Sequence, residues 1–235
     1  MRIKDKWLLR GMGILRSIAS KGIWITLPVG KHTGFGIYNK NKVIAGNQRE
    51  NTERFEEHLA DVALDGGFIE HQERMQDMKL GAYPLSFCGC ETIAVYNAMS
   101  HLNPEGGFFK ALPSIITYFE KRGVALAGEF GIDPRSLSSY FDELGYRTYM
   151  TMNQQETLRI IKTTDVYIMT FYNNRKRLSD MIHTVCITKG KDGRLRAHNA
   201  GTKESYLNLQ EMMRNLGVKG KAEMICFLGI RKPKA

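Results

Sequence analysis

The side chains best suited to nucleophilic chemistry in this 235-residue chain are its four cysteines, with six histidines available as bases near neutral pH. Cys90 opens the run Cys90-Glu91-Thr92-Ile93-Ala94-Val95-Tyr96-Asn97-Ala98-Met99. Its small and apolar residues fall on adjoining helical rows, and Asn103-Pro104 closes the segment. A cysteine at a helix N-terminus sits where the helix dipole and unpaired backbone N–H groups favour the thiolate. Cys88 precedes it by two residues, at the end of a loop-like stretch containing Gly81, Pro84 and Ser86. Cys186 and Cys226 lie inside strand patterns and read as small hydrophobes.

A base is found by working out a hairpin. The strand beginning Ile182-His183-Thr184 and the strand ending His198-Asn199 flank Lys189-Gly190-Lys191-Asp192-Gly193. A 189–193 loop pairs Thr188 with Arg194 and sets His183 directly opposite Asn199. His183, Val185, Ile187, Leu195, Ala197 and Asn199 then share the core face, while Thr184, Cys186, Arg196 and His198 face solvent. An amide oxygen beside an imidazole can fix its tautomer, so Cys90, His183 and Asn199 form a nucleophile, base and orienter in chain order.

The elements that must position them come as helices first and strands second. Ile23–Leu27 and Lys42–Ala45 read as short strands around a turn at Gly30–Gly36. Asn47 to about Lys79 is helical in period, with Phe55, Leu59, Val62 and Leu64 as its buried stripe. Helices follow at Leu112–Lys121 and Pro134–Leu144, each with a proline in its first turn and a glycine near its exit. After Gly145 the pattern turns to strands at Tyr146–Met152, Asp165–Tyr172, Ile182–Thr188, Arg194–Asn199 and Glu223–Ile230, with helices near Gln154–Lys162 and Glu204–Leu216. Segregation of this kind indicates an α+β fold of two lobes with a cleft between them.

The net charge of +10 is unevenly spread: residues 1–42 hold nine Lys and Arg against Asp5 alone. Trp7, Leu8, Met12, Leu15 and Ile18 or Ala19 recur there at helical spacing, giving a basic amphipathic helix able to meet an anionic surface. The basic tail Arg231-Lys232-Pro233-Lys234 adds three more positive charges, so the body between is close to neutral. No apolar run approaches the roughly 18 residues that span a bilayer, and no secretory signal is evident, so a cytoplasmic location is expected. Cys88 and Cys90 stand too close for a paired zinc site, no phosphate loop follows a strand, and the body lacks a nucleic-acid motif. Neither a cofactor, a metal nor a nucleic acid is therefore expected, and the oligomeric state is not legible.

Tyr83-Pro84 followed by Gly89-Cys90-Glu91 and a small, apolar helix resembles the nucleophile motif of the papain-like cysteine peptidases, in particular their bacterial bacteriocin-leader, or double-glycine, peptidase branch. His183 opening a strand, with Asn199 at the end of the next, matches that family's order. The resemblance covers about residues 80 to 230 and implies a papain-like two-lobed fold. On it, residues 76–235 form the catalytic domain behind a basic extension over 1–75. It further implies Cys90 as nucleophile, His183 as general base and acid, Asn199 as orienter, and a peptide or protein as substrate. Pro84 stands where the family usually places a Gln as oxyanion donor, which leaves the Cys90 backbone N–H with Ser86, Gln76 or Gln72 for that task. Cys88-Gly89 also resembles a form of the nucleophile motif, and the same triad serves acyltransferases. Without a working thiol the cleft is a peptide-binding module.

Overall fold

The computed structural model describes residues 3–27, 35–62, 66–105, 111–173, 182–220 and 222–233. Gly30 to Gly34, Leu64 and Lys234, named above, fall outside them, as do the side chains of Leu59 and Val62. The first half runs α1 (Ile3–Ala19), β1 (Ile23–Thr26), β2 (Gly36–Asn39), α2 (Lys40–Val62), β3 (Lys79–Leu80), β4 (Tyr83–Pro84), α3 (Leu85–Cys88), α4 (Cys90–Leu102), α5 (Leu112–Arg122) and α6 (Arg135–Glu143). The second runs β5 (Arg147–Thr151), α7 (Thr157–Thr163), β6 (Val166–Tyr172), β7 (Ile182–Lys189), β8 (Leu195–His198), β9 (Ser205–Tyr206), α8 (Leu209–Asn215) and β10 (Glu223–Arg231). The fold is α+β: helices dominate the first half and an antiparallel sheet the second, in strand order β5-β10-β6-β7-β8-β9.

Both faces of this sheet are covered. On one, Val166, Ile168, Cys186, Leu228 and Ile230 join Ile93, Ala94 and Ala98 of α4 in the larger core. On the other, Tyr167, Met169, Val185, Ile187, Ala197 and Phe227 pack with Ile160 of α7 and Leu209 and Met212 of α8. The expectation that Thr184, Cys186 and His198 face solvent is thus corrected: all three are buried, Thr184 and Cys186 because α4 lies on their side of β7 and His198 under Phe68. α4 tolerates this because every residue from Cys90 to Met99 is buried, as its small and apolar sequence requires.

The β7–β8 register also departs from expectation. Cys186 pairs with His198 and Lys189 with Leu195, two residues away from the expected alignment. The turn starts one residue later, closed by Gly190 N–H donating to Arg194 O at 2.8 Å and by Asp192 Oδ1 accepting from Arg194 N–H at 3.1 Å. A slip of two preserves the alternation, so the side chains expected to share a face still do. His183 pairs instead with Phe171 of β6, and β8 stops short of it, leaving the start of β7 open on that side.

Residues before 76 are built into the same core. Trp24, Ile44, Phe55, Ile69 and Met75 cluster with the α4 and α5 residues. Lys42–Ala45, expected as a strand, lies in α2, which Asn39 starts by accepting from Lys42 N–H at 3.1 Å. Its run of four residues was too short for periodicity to separate strand from helix. α1 buries Asp5, Leu9, Met12 and Ala19, so Trp7 and Ile18 of the expected stripe face outward. The helix is turned this way by Arg135, which donates to Leu9 O at 2.7 Å, and by Gly123, where a Cβ would meet Arg16 O at 2.6 Å. Glu204–Leu216, expected as one helix, divides into β9 and the shorter α8 started by Asn208, whose side chain accepts from Glu211 N–H.

Candidate active site

Asn199 follows β8 at φ 60°, a left-handed conformation that asparagine tolerates better than most residues. Three sets of bonds hold it there. Its backbone N–H donates to Glu70 Oε2 at 2.7 Å. Its side chain donates through Nδ2 to Gln72 Oε1 at 2.8 Å and accepts from Gln72 N–H at 3.3 Å. Its carbonyl oxygen accepts from His183 Nε2 at 2.7 Å. Glu70 is itself fixed by His198 Nδ1 at 2.7 Å and Arg196 at 3.2 Å. Burial alone would raise the Glu70 carboxyl, but the bonds from His198 and Asn199 with the Arg196 charge outweigh it and hold it below the ordinary carboxylate range. His198 is stacked on Phe68, with centroids 3.9 Å apart, and its Nε2 meets Thr188 Oγ1 at 2.9 Å.

This scaffold sets the tautomer of His183. A carbonyl oxygen only accepts, so Nε2 carries the proton, and the neutral ring keeps its lone pair on Nδ1. Burial pushes the His183 pKa down while the Asn199 contact opposes it, which favours the neutral, basic form. His183 lines a cleft of about 510 Å³ with Gln72, Ser86, Phe87, Phe171 and Asn199. The expected orienter therefore holds His183 through its backbone carbonyl, while its amide is spent on Gln72.

Cys90 is the first residue of α4, after Gly89, and is 7% exposed. It does not line the cleft. Its thiol donates to Glu91 Oε2 at 3.3 Å, and the backbone N–H of Thr184, next to His183 in the chain, acts on the sulfur in favour of the thiolate. Burial and the Glu91 carboxylate are stronger and push the thiol pKa well up. Glu91 is raised to about 7 by burial, against opposing bonds from its own backbone, Cys90, Ile132 N–H and Thr184. Space for its carboxyl comes from Gly131, where a Cβ would stand 2.8 Å from Glu91 Oε2. Thr184 Oγ1 continues the network to Thr170 Oγ1 at 3.0 Å.

The structure thus joins His183 to Asn199 directly and sets Cys90 against the residue following His183, with no hydrogen bond between Cys90 and His183 among the described residues. Cys88 is 4% exposed, and its sulfur faces the carbonyl oxygens of Pro84, Leu80 and Tyr83 at 3.3 to 3.8 Å. Burial pushes its pKa well up. Ser86 lines the cleft, whereas Gln76 is exposed and outside it. Gln72 Nε2 donates to Leu85 O and Ser86 O at 3.0 and 3.3 Å, so this amide braces the loop before the nucleophile helix. Glu70 and Thr184 carry no sequence signal that separates them from ordinary surface or strand residues, and the motif containing Glu91 gives no sign of its contact with the Cys90 thiol. Comparison of the chain with protein-family models, curated proteins and solved structures gives no match.

Proposed function

We propose that the protein is a papain-like, two-lobed cysteine hydrolase that cleaves a peptide or amide bond through Cys90, His183 and Asn199. The observation that carries this reading is the His183 ring, anchored by Nε2–H to Asn199 O at 2.7 Å, which leaves the lone pair on Nδ1, while the backbone N–H of the next residue, Thr184, acts on the Cys90 sulfur. In this reading the Cys90 thiol must leave Glu91 for His183 Nδ1 when substrate binds. The proton passes to Nδ1, the thiolate attacks the substrate carbonyl carbon, and the carbonyl π electrons move to oxygen. The Cys90 N–H, which as a first-turn donor of α4 has no partner within the helix, and the Ser86 hydroxyl are the donors for that oxyanion. Collapse of the adduct breaks the C–N bond, the amine leaves with the Nδ1 proton, and water cleaves the thioester with His183 again as base.

An activated acyl ester tests this without knowledge of the natural substrate. Intact mass followed by peptide mapping should show a hydroxylamine-labile acyl group on Cys90, absent in Cys90→Ala and strongly reduced in His183→Ala. No acylation, or acylation spread over all four thiols, would sink the proposal. Addition of an amine acceptor separates hydrolysis from acyl transfer. A second reading, a catalytically silent peptide-binding cleft in a cytoplasmic protein, is favoured by one observation: burial, aided by Glu91, holds the Cys90 thiol protonated.

A further inference from the structure

Eight of the thirteen exposed large hydrophobic side chains among the described residues lie between positions 7 and 37. In α1, Trp7, Arg10, Ile14 and Ile18 follow one another at i, i+3, i+7 and i+11 on the face opposite buried Asp5, Leu9, Met12 and Ala19. Trp7 is 64% exposed, and the Arg10 guanidinium lies 5.7 Å from its ring centroid. In the β1–β2 ribbon, Trp24 and Thr26 turn inward while Ile25 and its cross-strand partner Ile37 turn outward. Lys6, Arg10, Lys21 and Lys42 stand exposed in the same segment.

We propose that α1 and the β1–β2 ribbon form a docking surface for an anionic lipid bilayer, with α1 lying in the interface plane. Exposed isoleucines gain nothing from a nucleic acid, whose phosphates need only the basic residues. Pairing of two copies through this segment would bring together two sets of nine basic residues, each with a single aspartate. An anionic bilayer matches both features: its headgroups attract the Lys and Arg, and its acyl boundary accepts Trp and Ile to a depth of roughly 5–10 Å.

The test uses the full chain with vesicles of phosphatidylcholine alone or mixed with phosphatidylglycerol. The two tryptophans divide the signal, since Trp24 is fully buried and constant whereas Trp7 reports on the surface. Expected are cosedimentation with the anionic vesicles only and a blue shift of emission that Trp7→Phe removes. The Ile14→Ser/Ile18→Ser double variant should bind at least tenfold more weakly, and Lys6→Gln about fivefold. Both should keep the wild-type circular dichroism and unfolding midpoint, because the replaced side chains are exposed. Three results would overturn the proposal. They are no binding to anionic vesicles, binding indifferent to the Ile→Ser changes with no Trp7 shift, and a concentration-dependent dimer dissolved by the same substitutions.

Discussion

Replacing Glu91 with Gln should flatten the dependence of folding stability on pH. The Glu91 carboxyl is raised from 4.5 to about 7 by burial beside Cys90, Thr184 and the Ile132 N–H. An acid raised in the folded state stabilises fully below its unfolded value, and that contribution is lost as pH climbs through the folded value. At 1.36 kcal/mol per pH unit, the gap from 4.5 to about 7 is worth at most about 3.4 kcal/mol. Between pH 5 and 7.5 about 2.4 kcal/mol of it disappears. Urea unfolding at both pH values, followed by far-ultraviolet circular dichroism, would measure the wild-type and Glu91→Gln curves. Glu120, also raised to about 7, the depressed Glu70 and the depressed His183 titrate in both proteins and cancel in the difference. The wild-type advantage over the variant should shrink by about 2.4 kcal/mol as pH rises across that range. Parallel curves, or an advantage that grows with pH, would refute the reasoning that burial holds Glu91 neutral.

Three further outcomes are expected. Asn199→Ala removes both contacts to Gln72 and places alanine at φ 60°, costing about 2–4 kcal/mol in urea unfolding, whereas Asn199→Gly recovers about 1 of these. Glu70→Gln replaces a carboxylate that accepts from His198, Arg196 and Asn199 N–H and costs roughly 1.5–3 kcal/mol at pH 7. That deficit should narrow as pH falls below 4.5, where the depressed wild-type carboxylate loses its own contribution. Trp24→Ala should destabilise the whole protein by about 3–5 kcal/mol in one cooperative transition, since Trp24 is fully buried in the core that α4 and α5 share. A separate early transition would mean that the segment before residue 76 folds by itself.

The parts of this architecture that were legible in the sequence are those governed by local periodicity. The small-residue pattern after Cys90 marked α4, and the alternation through β7 and β8 grouped Val185 and Ile187 with Leu195 and Ala197 on one face. Register was less accessible, because a loop displaced by one residue keeps the alternation while changing every partner. Burial of His198 escaped detection, since alternation ranks one face above the other and cannot say that Phe68 and Glu70 cover the second. The α1 stripe was misaligned because two sets of apolar residues fit a helical period, and tertiary contacts at Arg135 and Gly123 chose Leu9 over Trp7. Glu70 and Gln72 meet Asn199 across more than a hundred residues, and no local pattern encodes such a meeting. The same holds for Glu91, whose neighbour Thr184 comes from β7.

The pairing of a Cys90 thiol with the His183 imidazole is tested most directly by the rate of haloacetamide alkylation between pH 5.5 and 8.5, with the labelled residue located by peptide mapping. Cys90, at 7% exposure the most accessible of the four thiols, should react first, and His183→Ala should slow it at least tenfold at pH 7. A Cys90 that reacts no faster than Cys88, Cys186 and Cys226, or that is indifferent to the loss of His183, would contradict the account.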